Sequence, residues 1–435
     1  MTDAANIKDT PGADVSQRTD RLRAGLRRRY AREGRFKLYG LLAIGLAVGF
    51  LLLLLGRIFE QGHTAFYAQS VTMPVYMDPA RIDRAYPQGT NFELLVAEQQ
   101  LARLGVQDDA QGTKSAAMRG LFSSELKFIA AGRIAERPAL IGQTVPVTAP
   151  LADDADLYFK GEISRETPAE QRRLSNEQLA WLDGMKANGM VASKFNTGLF
   201  TRGDSTEPEI AGVLGAVVGS ALMLLVTALI ALPLGVGAAL YLEEFAPKGR
   251  ITNLIEVNIN NLAAVPSIIY GLLGLALFIN WMHLPRASPL VGGLVLALMA
   301  LPTIIIATRS ALKAVPPSIR EAALAMGASK TQTVFHHTLP LAMPGVMTGA
   351  IISMAHALGE TAPLLLIGMV SFVPGIPHAV TEPSGALPSL IYIWENASER
   401  AFHERTAAAI MVLLAFMIVM NAAAVLLRRH FERRW

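Results

Sequence analysis

The sequence predicts an all-α polytopic membrane protein with six membrane helices and one small extracytoplasmic domain of α+β or helical character. Hydrophobic residues make up 52% of the 435-residue chain and charged residues 17%, with a mean hydropathy of +0.36. That balance fits a polytopic membrane protein and not an ordinary soluble one. Six apolar runs reach about 20 residues each, the length at which a helix crosses a hydrocarbon core of about 30 Å with its backbone polar groups satisfied internally. One polar stretch, residues 57–209, separates the first run from the other five.

Taken in order, residues 1–37 form a basic tail, with nine Lys or Arg and only two acids between Arg18 and Lys37. Residues 38–56, Leu38 to Gly56, are the first predicted membrane helix. At 19 residues the run is too long for a signal-peptide core, and no A-x-A cleavage site follows it closely. In the 57–209 domain, alternating Val71, Met73, Val75 and Met77 predict a strand. Asn91 to Gly105, Ser115 to Glu136 and Ser175 to Gly189 have helical periodicity, and Ser175 with Gln178 has capping-box spacing. This domain shows no Ser-His-Asp set, no metal-ligand spacing and no glycine-rich phosphate loop, so a docking or spacer role is expected of it. The chain has no cysteine, which excludes disulfides and thiolate chemistry.

The remaining runs form a transmembrane domain, 210–427. They are Ile210 to Leu242, Leu262 to Ile279, Leu290 to Thr308, Gly345 to Phe372 and Thr406 to Leu427. The second span, Ile210 to Leu242, is the longest and is expected to tilt or protrude, with Pro233, Gly235 and Gly237 offering a kink. A short tail, 428–435, carries Arg428, Arg429, Arg433 and Arg434. Basic flanks mark the cytoplasmic side, so both termini are predicted to be cytoplasmic and six spans satisfy that parity. The pI of 9.3 then reflects topology, with lipid and not nucleic acid as the chain's surroundings.

The same orientation puts residues 309–344 in the cytoplasm. At 36 residues this connection is long for a passive loop. Pro316-Pro317 stops the preceding chain, and Ser318 with Glu321 has capping-box spacing for a short helix to Met326. Gly327 permits a left-handed turn, Ser329 with Gln332 repeats the cap, and Pro340 with Pro344 is expected to end the second helix. Gly327-Ala-Ser-Lys330-Thr331 has the look of a P-loop end, but it lacks the Gly before the Lys and the upstream Gly. The expected element is a helix-turn-helix docking surface without a nucleotide site.

Glu321-Ala322-Ala323, Gly327 and Leu339-Pro340 resemble the EAA loop of ABC importer permeases, with His337 where an apolar Ile is usual. Tyr241 to Pro247, Leu262 to Gly271 and Gly359-Glu360-Thr361-Ala362-Pro363 are similar to PstA-type phosphate permeases, and the resemblance covers roughly Phe195 to Leu427. It implies the type I ABC importer permease fold in a bacterial inner membrane, with no catalytic site and no cofactor in this chain. The implied partners are a homologous second permease, a dimeric ABC ATPase that binds ATP and Mg and grips the EAA loop, and a periplasmic phosphate-binding protein.

On that reading, Glu360 near the middle of the fifth span is the first path candidate, because an ionisable group there costs about 2.5 to 3.5 kcal/mol and needs a polar path or partner. Ser353, His356 and Glu360 fall at i, i+3 and i+7 on one expected face. A carboxylate that accepts the P–O–H hydrogen bond of hydrogen phosphate would reject a fully deprotonated anion; equally, Glu360 could pair with a basic side chain and hold the bundle together. Related phosphate permeases place Arg where this chain has His356. The five later runs hold no Lys or Arg, so the second permease is expected to supply the main basic residue of the path. Thr361, Ser267 and Tyr270 are further candidates to border the path. Asn258, Asn260 and Asn261 are expected to line the inner mouth or cap the third span, and Arg309 and Lys313 to anchor the fourth. Two other readings are a permease for sulfate or molybdate and a membrane sensor or scaffold; a sensor has no need of a mid-membrane Glu.

Overall fold

A computed structural model of the chain describes residues 11–84, 86–168 and 172–431. The outermost parts of both basic tails, with Arg433 and Arg434, lie outside the described residues. Helix α1 (Pro11–Gly62) runs unbroken from the basic segment through the first apolar run. Pro11 suits a first helical position, and no later proline interrupts the helix. Residues up to Glu60 form one unit and Gln61 onward a second.

The second unit begins with an α+β insertion. Strand β1 (Tyr67–Tyr76) is the centre of a three-stranded antiparallel sheet, between β2 (Thr144–Pro150) and β3 (Val191–Phe195). Its alternation works as the sequence predicts: Val71, Met73 and Val75 are fully buried, opposite Ala149, Val147 and Val145. Helices α2 (Phe92–Arg103), α3 (Thr113–Arg119), α4 (Glu125–Glu136), α5 (Asp153–Lys160) and α6 (Asn176–Ala187) surround the sheet. Asn91 caps α2 by accepting from the Leu94 N–H at 3.0 Å, and Ser175 and Gln178 close a full capping box on α6. Ser115 to Glu136 is two helices and not one. The chain leaves helical geometry after Arg119 so that fully buried Leu121 and nearly buried Phe122 enter the core, with Phe122 bridging Leu151.

A short helix, α7 (Gly198–Thr201), leads to α8 (Leu214–Leu240), which ends in a π turn over Tyr241–Phe245. Then follow α9 (Arg250–Ala263), α10 (Ser267–Gly274), α11 (Pro289–Lys313), α12 (Pro317–Ala325), α13 (Lys330–Thr333), α14 (Leu339–Gly359), α15 (Ala362–Leu366), α16 (Leu387–Glu395) and α17 (Ala401–Phe431). Among the described residues, five helices are long and apolar enough to cross a membrane, and α9 with α10 makes a sixth as a bent pair. The longest candidate span is the first, Arg32–Phe66, not the second.

Two predicted spans are broken. The third, Leu262 to Ile279, straddles a bend of 100° between α9 and α10. Pro266 lacks an N–H and its ring drives the preceding residue out of helical geometry. The Tyr270 hydroxyl donates to the Leu262 carbonyl across the bend at 2.8 Å. The fifth, Gly345 to Phe372, stops as a helix at Gly359, with Glu360 extended (φ −77°, ψ 128°). In α8, Gly235 serves close packing: an added Cβ would lie 2.7 Å from Ile304 of α11.

Candidate docking surface and translocation path

The helix-turn-helix element is built from α12, α13 and the turn between them. Gly327 takes φ +88°, the left-handed turn expected of it, and Ser329 and Gln332 form a complete capping box. Ser318 is no cap: α12 already begins at Pro317, where a missing N–H costs nothing. Pro340 and Pro344 do not end the second helix either. A π turn over Val334–Thr338 joins α13 to α14, with the Leu339 N–H reaching the Val334 carbonyl, and the helix passes through both prolines. The wider turn also explains His337. Val334 and Thr338 are the buried positions of this turn, and His337 points outward, where a polar ring is tolerated.

Of the motif residues, Glu321, Ala322 and Gly327 are exposed, Ala323 is buried, and Leu339 and Pro340 are half-buried. In the same element Leu324 and Phe335 are exposed and Met326 is 89% exposed. These three were not singled out by sequence, although an apolar Leu-Ala-Met run before a Gly in a polar loop was the available signal.

A network of ion pairs fixes the base of this element. Arg320 of α12 binds Glu244 in the π turn after α8 at 2.7 Å and donates to the Leu312 and Val315 carbonyls at the end of α11. Arg309 binds Glu256 of α9 at 2.6 Å and Glu243 at 3.4 Å, and Lys313 approaches Glu243 at 3.6 Å. Lys330 sits over the Phe245 ring at 5.4 Å. Arg309 and Lys313 are thus partners of acids within this chain, a more specific role than anchoring. Asn258, Asn260 and Asn261 lie inside α9, exposed, and do not precede or cap a span.

Near the two helix breaks, Gly271 of α10 lies against Pro363, with an added Cβ only 2.7 Å from the Pro363 Cα. The structure therefore joins the Leu262 to Gly271 and Gly359 to Pro363 runs, which are remote in sequence. Unwound backbone at membrane depth is tolerated where it is buried in protein or lines a polar cavity. Glu360 is the C-cap of α14 and not a mid-helix residue, and His356 Nε2 lies 3.2 Å from its Oε1. Thr361 opens α15 and Ser267 opens α10, both half-buried. Ser353 separates from this group: it is buried against α11, donating to the Ala300 carbonyl at 3.4 Å. Of the expected face, His356 and Glu360 do come side by side, while Ser353 packs into the bundle where His356 is exposed.

At the insertion's end of the bundle a second ionic cluster appears that sequence reasoning missed. Lys160 of α5 binds Asp156 and Glu404 of α17, each at 2.6 Å, with side-chain exposures of only 5% and 7%. Glu404 also accepts from Thr64 at 2.8 Å, and Asp156 from the Gln69 N–H at 2.7 Å. Beside them, buried Arg405 donates to the Ala211 carbonyl at 2.9 Å. Burial pushes the Glu209 carboxyl up to about 7, against a Ser123 hydrogen bond and with Glu207 and Asp153 adding repulsion.

A family model described as "Binding-protein-dependent transport system inner membrane component" matches residues 231–435, and one described as "Domain of unknown function (DUF3333)" matches residues 23–169. The "Phosphate transport system permease protein PstA 1" of Mycobacterium tuberculosis is 34% identical over 234 residues, 54% of this chain and 76% of that protein. The "Probable ABC transporter permease protein YqgI" of Bacillus subtilis is 31% identical over 228 residues, 49% of this chain and 76% of that protein. A solved structure titled as inward-facing conformations of the MetNI methionine ABC transporter aligns with a TM-score of 0.39 at 20% identity, over 51% of this chain and 95% of that one.

Proposed function

Because the chain belongs to the family of ABC importer permeases, with PstA-type phosphate permeases among its relatives, we propose that it is a transmembrane subunit of an ATP-driven inorganic phosphate importer in a bacterial inner membrane. Both termini and the helix-turn-helix element face the cytoplasm in this reading, and the α+β insertion faces the periplasm. A separate dimeric ATPase carries ATP and Mg and docks on α12, a homologous second permease completes the path, and a periplasmic binding protein delivers the anion.

The observation that carries the reading is the docking surface. Leu324, Met326 and Phe335 expose apolar area in the element that carries Glu321, on a polar connection between spans, and such exposure fits a protein partner. Arg320 and Glu244 tie that element to the end of α8, and Arg320's bonds to the Leu312 and Val315 carbonyls tie it to α11. A push on α12 is therefore delivered to two spans at once. At the breaks, Glu360 is available to accept the hydrogen bond that the P–O–H group of hydrogen phosphate donates, with His356 beside it and Thr361 and Ser267 flanking. The relatives named for phosphate favour that anion over sulfate or molybdate, and the helix breaks favour transport over a sensor or scaffold.

Glu321→Arg should abolish copurification of the ATPase while leaving the protein in the membrane; retained association would sink the docking assignment. Phosphate uptake by vesicles holding the whole complex should be indifferent to a large excess of sulfate. Strong competition would move the substrate to another oxyanion.

A further inference from the structure

Four aromatic rings form a row where the insertion meets the helix bundle. Phe66 stacks on Phe200 with centroids 5.8 Å apart, Phe200 on Phe195 at 6.0 Å, and Tyr67 meets Phe195 edge-on at 6.1 Å. Phe200 is stacked on both of its neighbours and Tyr67 touches Phe195 only edge-on, yet Tyr67, Phe195 and Phe200 remain exposed, and so does Lys194, the residue before Phe195 in β3. Rings of this size left bare on a folded unit are out of place in water.

Their position says what covers them. Phe66 is the last residue of the first candidate span, and Phe200 precedes the start of the second, Leu214, by only 14 residues. Phe66 also packs on a core made by Leu199, Val213 and Ala216 and by Ala408 and Ala409 of α17, so the inner end of the row lies level with the first turn of α8 and the third turn of α17. Aromatic rings with a neighbouring lysine are the side chains that settle at the boundary between acyl chains and headgroups, the rings among the upper methylenes and the ammonium among the phosphates. We propose that Tyr67, Phe195 and Phe200, with Lys194, rest in the lipid headgroup layer on the insertion's side of the membrane. The insertion then lies down on the bilayer instead of standing off it. This placement rests on the membrane-spanning fold and is independent of which anion is carried.

The absence of cysteine gives a direct test. Nitroxide labels are attached to Phe195→Cys and Phe200→Cys in the full chain in phospholipid nanodiscs, with Gln107→Cys as the aqueous reference and Leu229→Cys as the mid-span reference. Collision with oxygen relative to a water-soluble nickel chelate should be several-fold higher at 195 and 200 than at 107, and lower than at 229. A ratio equal to that at 107 would overturn the proposal. So would a label shielded from both reagents, which would mean that a protein subunit covers the row. Lys194→Cys and Tyr67→Cys read the same depth if either phenylalanine variant fails to fold.

Discussion

The two ends of the helix bundle are both fastened by ion pairs, but the fastenings differ in kind. At the insertion's end, Lys160, Asp156 and Glu404 are nearly dry, and their contacts with one another, with Thr64 and with the Gln69 N–H are short and direct. At the helix-turn-helix end, the pairs of Arg309, Lys313 and Arg320 are wetter, with Lys313 58% exposed, and the two contacts to Glu243 are stretched to 3.4 and 3.6 Å. A buried charge without its partner is costly, so a dry triad resists separation. Partly solvated pairs with alternative partners rearrange at lower cost because water replaces part of what is lost. One end is built to stay fixed and the other to shift.

The sharpest way to break this contrast is at Lys160. Lys160→Met leaves Asp156 and Glu404 facing each other without a cation, and should cost about 3 to 5 kcal/mol in thermal or denaturant unfolding. A loss below about 1 kcal/mol would mean that water reaches the triad. Glu209 adds a pH test to the same end. Its carboxyl is held neutral to about 7 in the folded chain, against 4.5 without burial. The neutral form's contribution is therefore fully present below about 4.5 and is lost as pH rises through about 7. Glu209→Gln should remove that slope and raise the unfolding temperature at pH 8, by up to about 3 kcal/mol in free energy, while changing little at pH 4. At the other end, Glu244→Gln should cost only about 1 kcal/mol in stability, since Arg320 keeps its two carbonyl acceptors. If the proposed function holds, its larger effect should be on coupling: more ATP hydrolysed per phosphate imported by the assembled complex. Unchanged stoichiometry would show that Arg320 and Glu244 do not transmit the movement of α12.

What could be read from sequence was local. The alternation of Val71, Met73 and Val75, the capping boxes at Ser175 and Ser329, and the left-handed Gly327 each depend on residues within a few positions, and each forms as expected. The errors came where hydropathy averages over a change of direction. Leu262 to Ile279 is apolar on both sides of its bend, and Gly345 to Phe372 is apolar across the break at Glu360, although Pro266 and Pro363 were there to mark both. Pro340 misled in the opposite sense because a π turn absorbed it. The ionic clusters lay beyond local reasoning altogether: Arg320 and Glu244 are 76 positions apart, and Lys160 and Glu404 are 244 apart.

The π turn at Val334–Thr338 sets more than the exposure of His337. Each residue of a regular helix advances the chain by about 100° around the axis, so the extra residue held in a wide turn acts as a fixed angular offset between everything before it and everything after. Deleting one residue there would let the segment relax to ordinary helix, with α14 still seated in the bundle. Glu321 and Met326 would then be carried about a quarter turn away from their present bearing. The direction in which this chain offers its helix-turn-helix element is written in a count of residues, and a one-residue deletion would misaim it without altering a single contact side chain.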